Sequence, residues 1–288
     1  MRILLLGLVA GSIYSLSAVA LVLVYRATGI LNFAQGAIGM VGTFTFIFVG
    51  AHDSLVLALL LAILVAGGLG AVLAVLTGLL GERRLEATVL TLGALGLLQA
   101  LAQIVFGGRP VAVATNLFPT GALHIGGTYL GTDELSAAVL ALVLAGAVMA
   151  LVVRTPLGLV ARAVASRPQV VAALGLDERP VLLASWIVAS VLAAAAGICL
   201  LTVQPAPDTV SLTLTVIESF AAALVGRLVS LPGALVGGLA IGILSQAAAV
   251  GTGLPGAGEA VVFGAMIVLL TALPPRPVRG AAGAAAAL

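Results

Sequence analysis

The sequence predicts an all-α, polytopic integral membrane protein of eight or nine transmembrane helices, with one amphipathic helix on the cytoplasmic side. Three observations carry this expectation. Hydrophobic residues make up 62% of the 288 and charged residues 8%, with a mean hydropathy of +1.32, a balance foreign to soluble domains. Apolar runs repeatedly approach the roughly 20 residues that span hydrocarbon. The one long Arg-bearing interruption, residues 154–180, places apolar residues at helical spacing. Net charge is +2 and every basic residue is Arg, so nucleic acid is not an expected partner. The single cysteine, Cys199, sits in an apolar run and reads as a small buried side chain.

The first run, residues 3–25, contains Ala18-Val19-Ala20, which resembles a small-residue cleavage site. The apolar stretch continues past it and exceeds a signal segment, so it reads as a retained helix. Further spans are expected at 30–50, 55–80, 87–106, 135–153, 181–203, 212–225, 233–250 and 260–273. The second is rich in Gly and the 212–225 run carries Glu218, so either can be a broken or re-entrant element.

Orientation follows the arginines. Arg83 and Arg84 share one loop, Arg154, Arg162, Arg167 and Arg179 another, and Arg276 and Arg279 follow the last span, which places those segments in the cytoplasm. Parity then puts 51–54, 107–134, 204–211 and 251–258 outside, with Arg109 their only basic residue. With nine crossings the N-terminus is outside, and Arg2 is the residue that disagrees. Within the long outer loop, Leu-His-Ile-Gly126-Gly127-Thr-Tyr-Leu places a two-glycine turn between short alternating runs, the pattern of a hairpin. His52 and His124 lack the neighbours of a metal site, and none is expected.

Motifs for nucleotide binding, zinc hydrolysis or a serine nucleophile are missing, so the chain is not expected to be an enzyme, and no cofactor is expected. What it has is polarity at depth. Asn32, Gly36, Gly39 and Thr43 are spaced four, three and four apart, one face of a helix, with Gln35 beside them. That face is either a close helix contact of the small-residue type or the border of a substrate path, where irregular backbone is tolerated. Gly7 with Gly11, and Gly238 with Gly242, read as packing pairs. Glu218, inside an apolar run, is expensive unless it faces water or a partner; Arg227 is too distant along one helix to pair with it directly. Glu259 sits where a helix start favours a carboxylate.

The run from Gly7 to Gly42 resembles the opening of LivH-type permeases of branched-chain amino acid ABC importers, which carry a Gly-Ser-Ile-Tyr-Ala-Leu-like run, here Gly11 to Leu16, and an Asn-Phe-Ala-His-Gly-like run, here Asn32 to Gly36. The loop with Arg162-Ala163 and Leu174-Gly175 resembles the family's coupling segment, and Ser230 to Leu244 its Gly-Ser-Ile-Pro-Gly-Ala run. Three departures stand out: Gln35 where His is usual, Glu218 where Lys is common, and Arg227 and Val229 in place of glycines. Related permeases for urea, short amides and sugars share the scaffold.

The resemblance implies one transmembrane permease domain over residues 1–274 in the cell membrane, containing the coupling loop 154–180 and followed by a disordered tail over 275–288. It implies a substrate path through Ser12, Tyr14, Asn32, Gln35, Gly36, Gly39, Thr43 and Glu218, and ATPase coupling through Arg162, Ala163, Leu174 and Gly175. The implied partners are a second permease, the same chain or another, two cytoplasmic ATPase subunits and an extracytoplasmic binding protein that delivers a small polar substrate, foremost an amino acid. The coupling helix is expected over 159–174, stopped by Gly175, with Arg162 and Arg167 on its wet side. Two other classes stay open: a free-standing carrier or channel using Glu218 for ion coupling, and a membrane scaffold without transport.

Overall fold

The computed structural model describes residues 2–52, 54–81, 83–112, 117–125, 128–166, 177–254 and 256–272. Eleven helices and one hairpin follow in order among them: α1 (Arg2–Thr28), α2 (Gln35–Gly50), α3 (Leu55–Leu79), α4 (Arg84–Phe106), β1 (Ala122–Ile125), β2 (Thr128–Gly131), α5 (Thr132–Arg154), α6 (Pro156–Ser166), α7 (Arg179–Leu200), α8 (Thr209–Leu214), α9 (Val216–Val225), α10 (Leu231–Thr252) and α11 (Ala257–Ala272). Six of them, α1, α3, α4, α5, α7 and α10, are long and apolar enough to cross a membrane; α2, the α8–α9 pair and α11 are shorter apolar helices. The chain is a multi-pass membrane protein.

Helix ends are set by local chemistry. Ser54 accepts from the Leu57 N–H at 3.2 Å, Ser230 from the Gly233 N–H at 3.0 Å, and Asp208 from the Val210 and Ser211 N–H groups at 2.8 and 2.9 Å, each satisfying donors that a helix start leaves open. The predicted hairpin forms, with Ile125 opposite Thr128 across the two glycines, which lie outside the described residues.

Arginines gather at one end of the bundle. Arg26 and Arg162 line one hollow with Val152, Ser185 and Leu231, and a Cβ at Gly29 would stand 2.8 Å from the Arg84 guanidinium. The hairpin lies at the other end, where Leu130 packs on Val9 and Ala138. The Arg-bearing end is the cytoplasmic one by the distribution of positive charge. On that expectation from charge, helix α1 starts outside.

At the centre stands α1, the most enclosed of the six long helices, against α10. A Cβ at Gly7 would stand 2.7 Å from the Ile243 Cα, and one at Gly11 would stand 2.8 Å from the Gly238 carbonyl, so the predicted glycine pairs are the surface on which these two backbones touch. Trp186, Phe44 and Phe46 are fully buried in the same core, and Phe44 stacks on Phe106 with centroids 5.3 Å apart.

Three expectations need correction. Helix is absent over 30–34: Gly29 has φ +71, the chain runs on without helix, and α2 begins only at Gln35. Asn32 is therefore not on a helical face with Gly36. Thr91 of α4 holds this link, accepting from the Phe33 N–H at 3.2 Å and donating to the Leu31 carbonyl at 3.0 Å. The 212–225 run is two helices broken at Thr215, and its first piece starts three residues earlier, at Thr209. Arg162 does not sit wholly on a wet face: half-buried, it donates to the Val153 and Gly158 carbonyls at 3.2 and 3.3 Å, a cation at the C-terminal end of α5. Helix α6 is described to Ser166; Arg167, Leu174, Gly175 and the tail 275–288 lie outside the described residues.

Candidate functional site

Helices α2 and α7 run in the same direction, because Gly39 faces Ala193 and, further along both, Thr43 faces Gly197. Counting helical rise back from Ala193 puts Gly36 roughly 16 Å from the cytoplasmic start of α7, about half of a 30 Å hydrocarbon layer. Helix α2 therefore begins inside the bilayer. The break between α8 and α9 lies at the same depth, since a Cβ at Gly36 would stand 2.9 Å from the Val216 Cβ and run into the Thr213 carbonyl. Only glycine lets the start of α2 meet the start of α9 this closely.

A small, partly open cleft of about 20 Å³ lies at this meeting point. Its walls are Tyr14 and Ser17 from α1, Gln35, Gly36, Gly39 and Met40 from α2, Ala193 and Gly197 from α7, and Leu212, Thr215 and Ser219 from the broken element. Small residues on α7 leave the space; hydroxyls and one amide give it polarity.

Four of the eight residues expected on the path, Tyr14, Gln35, Gly36 and Gly39, line the cleft. Thr43 lies one turn beyond, donating to the Gly39 carbonyl at 2.8 Å. Ser12 is turned away into its own helix, donating to the Val9 carbonyl at 2.7 Å. Asn32 is 1% exposed and neither of its amide atoms has a hydrogen bond. Glu218 does not line the cleft; it is buried in the first turn of α9, accepts from its own backbone N–H, leaves Oε2 without a partner, and lies within electrostatic reach of Tyr14. A carboxylate there meets the positive end of α9.

Sequence reasoning missed Ser17, Thr215 and Ser219, and it missed the Gln99–Thr213 hydrogen bond that ties α4 to α8. The signal was present: Thr215, Glu218 and Ser219 are polar residues at three- and four-residue spacing inside an apolar run. The residues expected to contact an ATPase are held apart from this site: Arg162 and Ala163 are on α6, at the Arg-bearing end.

Among the described residues, nine apolar elements, one of them broken, surround a polar cleft, the arrangement of a membrane permease. The chain belongs to the family described as "Branched-chain amino acid transport system / permease component", whose model matches residues 3–271. It is 27% identical over 281 residues to the high-affinity branched-chain amino acid transport system permease protein BraD of Pseudomonas aeruginosa, covering 92% of this chain and 91% of that one. With the corresponding protein LivH of Escherichia coli K12 it shares 27% identity over 252 residues, 82% of each chain. Among solved structures, an ABC transporter assigned to the metal-chelate type, in an inward-facing conformation, matches with a TM-score of 0.51 at 17% identity, covering 92% of this chain and 84% of that one. That likeness establishes the fold. As a permease component the chain is a transport subunit and not itself a catalyst.

Proposed function

We propose that residues 1–274 act as one permease domain that supplies half of the translocation path of an ABC importer for branched-chain or similar amino acids. The observation that carries this reading is the cleft where α2 and α9 begin inside the bilayer, because exposed polar groups at that depth are tolerated only beside a cavity. Tyr14, Gln35, Gly36 and Gly39 border the path, Thr43 and Asn32 flank it, Ser12 shapes the helix that carries Tyr14, and Glu218 sets the charge behind it. A second permease, the same chain or a homologue, closes the path from the other side. An extracytoplasmic binding protein delivers the substrate to the hairpin end, and two ATPase subunits engage α6 and the loop through Arg162, Ala163, Leu174 and Gly175.

The test is uptake in proteoliposomes holding the assembly purified from its own membranes, with ATP enclosed and binding protein outside. Labelled leucine should enter only with ATP, and Gly175→Asp should abolish stimulated ATP hydrolysis while leaving membrane insertion intact. Uptake that needs no ATPase subunit and collapses with a protonophore would instead support a carrier centred on Glu218.

A further inference from the structure

We infer that the start of α2 is a carboxylate-binding subsite inside the bilayer, an inference that rests on the amino-acid reading above and gives that substrate an orientation. Helix α2 has no side-chain cap: Ala34 precedes it, and the Gly36 and Ala37 N–H groups make no hydrogen bond, whereas the Gln35 and Ile38 N–H groups reach the Asn32 and Ala34 carbonyls at 3.4 and 2.9 Å. Two open donors at the positive end of a 16-residue helix are stable in hydrocarbon only if an acceptor visits them.

Side chains beside them point to the same ligand chemistry. Gln35 lines the cleft, is 1% exposed, and spends its NH2 on the Ser17 carbonyl at 3.2 Å while Oε1 has no partner. Asn32, equally buried, offers an unpartnered Nδ2 as a further donor. The start of α9 abuts the start of α2 at Val216, so two dipole ends favour negative charge at one place. Glu218 already occupies the α9 end, which leaves the α2 end open. A carboxylate fits it: two oxygens, a single negative charge, and a need for two or three N–H donors. The unpartnered Gln35 oxygen, on a side chain that lines the cleft, then offers an acceptor to the ammonium.

The assembly purified from its own cell membranes, washed free of binding protein, is titrated with leucine, leucinamide, 3-methylbutanoate and 3-methylbutylamine, and the shift in melting temperature read against concentration. Leucine and 3-methylbutanoate should bind about tenfold or more tightly than their counterparts without a carboxylate. Asn32→Asp should weaken the two carboxylates about tenfold and leave the amine unchanged, a split that a general loss of structure does not produce. If that variant does not assemble, Gln35→Glu tests the same repulsion. Equal binding of leucine and leucinamide overturns the subsite and leaves the amino-acid reading standing. Binding of 3-methylbutanoate without leucine keeps the subsite and sinks the amino-acid reading. No shift with any of the four overturns both.

Discussion

Ser15 Oγ stands 2.7 Å from the Leu235 carbonyl of α10 and 2.7 Å from the Gly11 carbonyl of its own helix. One hydroxyl hydrogen is shared between two acceptors, and it sits where Gly238 leaves room for it, since a Cβ at Gly238 would collide with Ser15. The contact between α1 and α10 thus combines a bifurcated bond with backbone-to-backbone packing, and the two can be separated by mutation.

Ser15→Ala removes the bond and keeps the packing, so it should cost about 0.6 kcal/mol, the scale of interhelical side-chain bonds in membranes. Gly11→Val forces the backbones apart and should cost about 3 kcal/mol or more. Unfolding in detergent, followed by melting temperature or denaturant midpoint, checks the order; equal effects would mean that the bond and not the close approach holds the pair.

Gly42→Leu should cripple transport while leaving the protein in the membrane. A Cβ at Gly42 would stand 2.6 Å from the Ala194 Cβ, so α2 must move away from α7 and the wall of the cleft with it. Thr43→Val, nearly isosteric and losing only a bond to its own helix, should retain most uptake. Uptake rates normalised to the amount of membrane-inserted protein decide.

Glu218→Gln should retain ATP-driven uptake, because the amide still accepts from the start of α9 and no proton cycle is required. Loss of uptake in Glu218→Gln, together with protonophore sensitivity of the wild type at constant ATP, would reassign Glu218 to ion coupling.

Cys199 is fully buried, so the native protein should be silent to a membrane-impermeant maleimide. His52→Cys, in the exposed turn between α2 and α3, should label in intact cells. Arg83→Cys, whose native side chain is 70% exposed, should label only after permeabilisation. The reverse pattern would invert the orientation read from the arginines.

The long spans were legible because burial in lipid needs only uninterrupted apolar residues, and the hairpin because a two-glycine sequence between short alternating runs signals a turn. Suspicion of the Gly-rich second segment and of the run with Glu218 was also justified: both break. What the sequence could not reveal is where they break. Asn32 falls on a helical face by spacing, yet Thr91, fifty-nine residues later, captures the Leu31 and Phe33 backbone and keeps the link from coiling. The left-handed turn at Arg227 and Leu228, φ +52 and +59, was equally hidden: these side chains occupy a conformation usual for glycine. Leu228 is 2% exposed, so burial holds the strained backbone in place. Of the cleft, Tyr14, Gln35, Gly36 and Gly39 were found, while Ser17 of the first span was passed over and a single acidic residue drew attention away from Thr215 and Ser219 beside it.

The corner between α5 and α6 is tied by two hydrogen bonds and a close approach: Thr155 accepts from the Gly158 N–H at 3.0 Å, Arg162 donates to the Val153 carbonyl at 3.2 Å, and a Cβ at Gly158 would meet the Leu151 carbonyl at 2.5 Å. A joint fastened on both sides of the bend transmits torque instead of absorbing it. Rotation imposed on α6 becomes tilt of α5, and through α5 of α1, which it packs against. Under the coupling role proposed for α6, stiffness at this bend would set the gearing between events at the membrane surface and movement at its centre.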